Sequence, residues 1–317
     1  MDSNTKPKLT VTQLEKLVTF HSGMRIKTAV EMTDGWANTA YRICLENDRQ
    51  IVLKVSPAST MVRMRYEIDI MRTEVEVLKQ LHNKIPVPYV YAYDDSCRLL
   101  PHEYYLMEFL EGSPYNKVKS SMTEAQREAI EFQLGQYNQI INEVKGTSFG
   151  PYSSPVSYGD DWPTAFSRML LDVLEDARDM NVSLPVGAID VSILLQEAEE
   201  ALREVTEPRL VHWDLWDGNF FVQDETIVGI IDFERALWGD PLLEFYLRHM
   251  NHSPAFLRGY QMTNFTASQE IRRSLYDLYL DLILVVQCYF YQYNNQELEQ
   301  WARNCLAKSW GRVIQRF

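Results

Sequence analysis
The run Val211-His-Trp-Asp-Leu-Trp-Asp-Gly-Asn-Phe-Phe-Val222, followed by Ile231-Asp232-Phe233-Glu234, restricts this chain more than any other feature. Asp214 and Asn219 stand five residues apart across a tight turn helped by Gly218, and Asp232 ends a strand one hairpin later. Two strands thereby deliver two carboxylates and one amide to one spot. Any fold for this chain has to hold those hairpins side by side.

The order His212-x-Asp214-Leu215-x-x-x-Asn219 with a downstream Asp-Phe pair has the spacing of a kinase catalytic loop and its metal-binding segment. Moving a γ-phosphoryl group requires an acceptor hydroxyl aimed in line, usually by one carboxylate. It also requires Mg²⁺ on one or two oxygen ligands. Asp214 is therefore the candidate catalytic base, and Asn219 and Asp232 are the candidate metal ligands. His212, two residues before Asp214, is expected to be a buried hydrogen-bonding strut rather than an acid or base.

The hydrophobic period changes once along the chain and divides it. Residues 26–32, 41–45 and 51–55 alternate as strands, with turn signals at Asp34-Gly35 and Asn47-Asp48. A helix is expected over 62–81, with apolar residues at Ile68, Met71, Val75, Leu78 and Leu81. Pro86 and Pro88 end it, and strands are expected at 90–93 and 104–109. Leu110 to Pro114 reads as a linker. After Thr123, which opens a capping box with Gln126, the pattern is mostly helical: to about 145, over 164–180, over 189–205, and from 242 to the C-terminus. The expected fold is α+β and bilobal. Residues 1–109 form a small antiparallel sheet with one long helix, 110–116 a hinge, and 117–317 a larger helical lobe carrying the catalytic hairpins.

Within the smaller lobe, Ile51-Val-Leu-Lys-Val55 is a strand bearing Lys54, a candidate for the α- and β-phosphates; a lysine facing water from an edge strand is the plain alternative. Such a lysine needs a glutamate on the next helix. At 100° per residue the apolar face of that helix is centred near Glu67 and Glu74, while Glu76 points away. Periodicity does not choose between Glu67 and Glu74. Thr33 to Thr39 stands where a phosphate loop would lie, giving Gly35 and Asn38 as candidates, but its one glycine does not match G-x-G-x-x-G.

Composition serves mainly to exclude partners. A net charge of −13 argues against nucleic acid and mildly favours a cationic substrate, although solubility explains it as well. The longest strongly apolar run, Leu282 to Val286, is too short for a membrane span, and the first residues have no apolar signal-like core. Four cysteines without metal-ligand spacing are expected to be buried, reduced thiols, which points to the cytoplasm.

Over roughly residues 25–250 the chain resembles the aminoglycoside phosphotransferase and choline kinase superfamily, small-molecule kinases with a protein-kinase-like fold. His212-Trp-Asp-Leu-Trp-Asp-Gly-Asn219 resembles that family's His-Gly-Asp-Leu-x-x-x-Asn loop. Ile231-Asp-Phe-Glu234 with Gly239-Asp-Pro241 resembles its metal-binding segment. Glu74-x-x-x-Leu78-x-x-Leu81 before Ile85-Pro-Val-Pro88 is similar to its small-lobe helix, which implies Glu74 as the partner of Lys54. Tyr105-Leu-Met-Glu-Phe-Leu-Glu-Gly112 resembles its hinge, which implies adenine on the backbone of Glu108 and Leu110 with Met107 lining the pocket. The resemblance implies ATP and Mg²⁺ as cofactors, with GTP left open.

Departures from the family pattern bear on the acceptor. Trp213 stands where the family usually has Gly, and Trp216-Asp217 replaces a common His-Pro. The tryptophans either pack under the loop or form an aromatic wall for a sugar ring or cation. Asp217 is similar to an acidic residue that meets substrate amines in some aminoglycoside kinases. Glu234 replaces the Gly of Asp-Phe-Gly, so a protein-kinase-style flip of the metal loop is not expected, and no Ala-Pro-Glu segment marks a protein substrate. Trp213, Trp216, Asp217 and Glu234 are thus the acceptor candidates. Asp160, Asp161, Asp240 and Glu244 either line a cationic pocket or cap helices. The expected acceptor is a small hydroxylated molecule, an aminoglycoside-type antibiotic first. A choline, sugar or amino-acid kinase and a nucleotide-binding pseudokinase are the alternatives, and oligomeric state is not legible.

Overall fold
The computed structural model describes residues 7–32, 38–57, 61–251, 253–291 and 295–316. Helix α1 (Val11–Ser22) leads into strands β1 (Ile26–Met32), β2 (Thr39–Leu45) and β3 (Gln50–Val55). Helix α2 (Ile70–Leu81) and strands β4 (Val90–Asp94) and β5 (Tyr104–Glu108) complete a five-stranded antiparallel sheet of order β1-β2-β3-β5-β4. The predicted strands fall within about two residues of these bounds.

Period-2 alternation gives the sheet two apolar faces. Tyr41, Ile43, Leu45, Ile51, Leu53, Val55, Tyr104 and Leu106 pack against Leu14, Leu17 and Val18 of α1. Opposite them, Tyr105 joins Met71, Val75 and Leu78 of α2. Lys54 pairs in register with Ala40 and Tyr105 on a central strand, so the water-facing edge position is excluded. Helix α1 is an element the hydrophobic pattern did not announce. Its signal is the Thr10-x-x-Gln13 capping box, in which both reciprocal bonds form.

The helix expected over 62–81 begins only at Ile70. Asp69 adopts a left-handed conformation (φ 47°), and two of the preceding backbone donors go to carboxylates rather than to helical carbonyls. Arg65 N–H donates to Asp176 (3.0 Å) and Met64 N–H to Glu67 (3.1 Å). Apolar spacing at 64, 68 and 71 therefore reflects a buried loop that mimics helical period.

Beyond β5, Ser113–Pro114 in the predicted hinge forms a short strand, β6, followed by α3 (Tyr115–Val118) and α4 (Glu124–Glu143). Then come β7 (Gly150–Pro151), α5 (Trp162–Asp179), α6 (Ala188–Glu197) and α7 (Glu199–Arg203), so the helix expected over 189–205 is broken at Ala198. Strands β8 (Arg209–Val211), β9 (Phe220–Gln223), β10 (Thr226–Ile230) and β11 (Leu237–Gly239) form the orders β10-β9-β6 and β7-β11-β8. Helices α8 (Pro254–Gly259), α9 (Ala267–Phe290) and α10 (Gln296–Arg316) complete the fold. Helix α9 is buried nearly all round and centres the larger core. Helices α4 and α8 approach so closely that a Cβ on Gly135 would lie 2.2 Å from the Phe256 carbonyl oxygen, which explains glycine inside a helix.

Among the described residues no helix is long and apolar enough to cross a membrane. All four cysteines are free. Cys288 and Cys305 are buried and Cys44 is half-buried, but Cys97 is exposed in a left-handed turn (φ 55°), which corrects the expectation of four buried thiols.

Candidate active site
The loop between β8 and β9 is fixed from beneath by one carboxylate. Glu244, fully buried, accepts the backbone N–H of His212 (3.0 Å) and of Trp213 (3.0 Å) and the side-chain amide of Asn142 (2.9 Å). His212 is buried against Phe233, its Nε2 2.9 Å from the Ile231 carbonyl, and so ties the loop to the next hairpin as a strut. Successive tight turns follow, and the Asn219 side-chain amide donates to the Asp214 carbonyl (2.8 Å). With its nitrogen committed there, Asn219 offers its amide oxygen.

Trp213 occupies a left-handed conformation (φ 46°), which accounts for glycine being usual at this position in the resembling family. Its ring is only 5% exposed. It lies between Tyr66 and Tyr279 and donates to the Arg235 carbonyl. Packing offsets the backbone strain, and of the two roles open to Trp213, packing under the loop and an aromatic wall for the acceptor, the structure shows the packing. Trp216 is half-buried over Gly218, where a Cβ would sit 2.3 Å from the indole.

Lys54 is where the two lobes meet. Its Nζ lies 2.6 Å from Glu74, 2.8 Å from Asp232 and 3.3 Å from Glu234. Glu74 is therefore its helical partner, whereas Glu67 accepts from Met64, Tyr66 and Tyr291 instead, and Glu76 is exposed as expected. Burial works against the Lys54 charge, but the three carboxylates together hold its pKa well above the ordinary lysine value. Burial would raise Asp232 too, yet the Lys54 ammonium keeps it below the usual carboxylate value.

Glu234 was expected on the acceptor side, and the structure places it beside Lys54. It is buried, accepts from the Asn38 amide (2.6 Å) and faces Lys54, because the turn at Asp232 (φ 70°) directs both acids inward. Asn38 thus reaches the site, while Gly35 lies outside the described residues. Met107 is half-buried on β5. Glu108 is exposed, with its N–H on the Tyr89 carbonyl (2.8 Å), and Leu110 packs over Gly229.

Asp217, expected to face substrate amines, is already engaged: Lys119 donates to it at 3.0 Å, and the Tyr246 hydroxyl also donates to it. Lys119 additionally meets Glu131 (3.0 Å). The acidic cluster resolves largely into structural roles. Asp161 caps α5, Asp240 caps the turn at Pro241 and binds Arg272, Glu244 holds the loop, and Asp160 is exposed. Asp240 lines a surface cleft with Glu143, Glu204, Glu207 and Arg272, without Asp160, Asp161 or Glu244, so the four do not form one pocket for a cation.

Two participants were missed in sequence. Lys119 lies outside every motif. Arg235 directly follows Glu234, lies half-buried over Tyr66 and Trp213, and places its guanidinium 3.8 Å from Asp214. Burial pushes the Asp214 pKa up to about 6; Arg235 opposes the rise and Asp232 adds to it. An acid limb near pH 6 is expected in kcat/KM if Asp214 is the base. Arg235→Gln removes the opposing charge, so the limb moves to higher pH, and a pH–rate profile of the two proteins reads the direction.

Residues 28–274 match the family model described as Phosphotransferase enzyme family. A crystal structure of a protein named as a fructosamine-3-kinase, from Thermobifida fusca YX-ER1, superposes with a TM-score of 0.69 at 20% identity, covering 96% of this chain and 100% of that one. A thermostable mutant of aminoglycoside phosphotransferase APH(4)-Ia, bound to ADP and hygromycin B, gives 0.67 at 16% identity, covering 96% and 98%. The streptomycin–ATP complex of APH(2″)-IIa gives 0.61 at 15% identity, covering 98% and 97%. At such identities these likenesses establish the fold. No curated protein matches the sequence significantly.

Proposed function
Because the chain belongs to the phosphotransferase enzyme family, we propose that it moves the γ-phosphoryl group of Mg²⁺-ATP to a hydroxyl of a small molecule in one in-line step. The observation that carries this reading is convergence. Lys54 on β3, Glu74 on α2 and Asp232 after β10 meet within 2.8 Å contacts, next to the loop that binds Asn219 to Asp214.

The donor set fits Mg²⁺, a hard cation that takes carboxylate and amide oxygens. Asp232 and Asn219 would hold it, with Glu234 beside them. Carboxylate oxygens of Glu74, Asp232 and Glu234 lie within 4.8 Å of one another, and the buried Asn38 Oδ1 has no hydrogen-bond partner among the described residues. Bound metal supplies charge neutralisation on the phosphates. Lys54, steadied by Glu74, turns its ammonium to the α- and β-phosphates. Asp214 aims the acceptor hydroxyl and accepts its proton, and no phosphoenzyme is formed. Residues 1–109 serve as the nucleotide lobe, 110–116 as the hinge with Met107, Glu108 and Leu110 at the adenine, and 117–317 as the acceptor lobe. ATP is the donor proposed, with GTP to be tested beside it, and free thiols with a need for ATP point to a cytoplasmic setting.

For the acceptor, Trp213 is packed away, which removes an aromatic wall for a sugar ring and a cation alike, and Asp217 already shares Lys119 with Glu131. A small hydroxylated molecule is the acceptor class proposed, with aminoglycosides, choline-like amines, sugars and amino acids as its candidates. The named fructosamine-3-kinase adds sugar amines to the candidates. A coupled ADP-release screen across sugars, sugar amines, aminoglycosides, choline-like amines and hydroxylated metabolites tests it. Acceptor-dependent release is expected; nucleotide binding with no acceptor anywhere in the panel would favour a pseudokinase.

A further inference from the structure
The Lys54–Glu74 pair depends on where α2 sits, yet the start of α2 is held by none of the usual local devices. Asp69 makes no side-chain cap and the first turn carries no acid. What holds it instead is the segment just before it. Arg65 donates its backbone N–H to Asp176 (3.0 Å). Its guanidinium meets Asp176, Asp179 (2.7 Å) and Glu175 (3.4 Å), all on α5. Glu67, 4% exposed, takes the Tyr291 hydroxyl at the end of α9 as well as Tyr66 (3.3 Å) and Met64 N–H (3.1 Å). Thr73, next to Glu74, donates to Ser153 after β7 (2.7 Å).

We propose that Arg65 and Glu67 form a brace between the helical lobe and α2, acting as positioning residues for Lys54 through Glu74. Three attachments on α5, α9 and the loop after β7 fix one end of a 12-residue helix against the lobe that carries Asp214 and Asn219. A slip of about 1 Å at that end is enough to spoil a short ion pair, and misplacement on that scale costs up to about 10²-fold in function. Of the acids on α5 that receive Arg65, Glu175 and Asp179 are half exposed and Asp176 is buried. The Asp176 side chain is 2% exposed and has Arg65 as its cation, so burial without Arg65 would leave its charge uncompensated. Glu67 is pushed up by burial, with Arg235 and the Tyr291 hydroxyl opposing, so it is held by its contacts and not by water. Neither residue touches the cleft groups directly. Arg65 reaches them through the helix, and Glu67 through the helix and through the charge of Arg235, which the Glu74→Gln background tells apart.

The proposal rests on Lys54 meeting nucleotide phosphates, and a double-mutant cycle separates the two claims. Mg²⁺-AMP-PNP affinity is measured by calorimetry for wild type, Arg65→Ala, Tyr291→Phe and Glu74→Gln, and for each brace variant combined with Glu74→Gln. In the wild-type background Arg65→Ala is expected to weaken binding about 10-fold and Tyr291→Phe about 3-fold; in the Glu74→Gln background each falls below about 2-fold, because groups that act through one another are not additive. Hydrogen exchange at residues 70–74 is expected to quicken in both brace variants. Equal losses in the two backgrounds, or a lower Tm with unchanged affinity, would overturn the brace and leave the kinase reading intact. No nucleotide binding by wild type would overturn both. If Arg65→Ala does not fold, Tyr291→Phe, which removes one hydroxyl, carries the cycle alone.

Discussion

Asp214→Asn is expected to lower phosphoryl transfer by about 10³-fold, within the range of lost general-base catalysis, while Mg²⁺-AMP-PNP affinity stays within about 3-fold. The substitution keeps the shape of the side chain and leaves the Lys54, Glu74, Asp232 and Glu234 contacts untouched. The loop does not depend on the carboxylate, because the backbone of Asp214, not its side chain, receives Asn219. Stability supplies a second sign. The folded pKa of about 6 lies above the ordinary value, so ionising Asp214 costs stability as pH rises from about 4 through 6. The Asn variant should therefore melt higher than wild type at pH 7 to 8 and no higher at pH 4. Turnover near the wild-type rate in Asp214→Asn would remove Asp214 from the base role.

Asp232→Ala is expected to weaken Mg²⁺-nucleotide binding by about 100-fold, the upper end for losing a charged metal ligand or its support, and to abolish turnover. Electrostatics alone predicts the opposite. Three carboxylates around one ammonium leave the site with excess negative charge, so deleting one should favour an anionic nucleotide. The two accounts separate when calorimetry is run with Mg²⁺ and again with a chelator. A metal role requires the large loss with Mg²⁺ and little loss, or a gain, without it. Equal behaviour in both conditions would mean that Asp232 serves only to hold Lys54. The left-handed backbone at Asp232 adds a strain of about 1 kcal/mol to the Ala variant, a cost common to both conditions.

Much of the small lobe and of the catalytic loop was legible because their signals are local. Period-2 runs placed β1 to β5, and the fixed offset of Asp214 and Asn219 put them on one loop, which the Ile231 N–H, next to Asp232, joins at the Asn219 carbonyl (2.9 Å). Glu74 over Glu76 followed from helical angle, though not Glu74 over Glu67. What stayed hidden was set by tertiary contact. The lead-in to α2 keeps helical spacing but spends its donors on Asp176 and Glu67. Glu234 reads as a free acid until the turn at Asp232 folds it inward. Asp217 reads as a cation receptor until Lys119, nearly a hundred positions away (|i−j| = 98), arrives beside it. Arg235 had no motif to announce it, only its place after Glu234. The left-handed backbone of Trp213 accounts for a departure that composition could not interpret.

These contacts change the reading of the acceptor more than that of the chemistry. Phosphoryl transfer rests on groups that the fold brings together. An ammonium on the acceptor rested on groups that the fold has already paired.

The most direct test of the central claim is mass spectrometry of the protein and of an acceptor found by the ADP-release screen, after incubation with Mg²⁺-ATP. Direct transfer predicts that the acceptor gains one phosphoryl group, in step with ADP formed, and that the intact protein gains none. A phosphorylated protein that passes its label to the acceptor, or ADP formed with the acceptor unchanged, would contradict it.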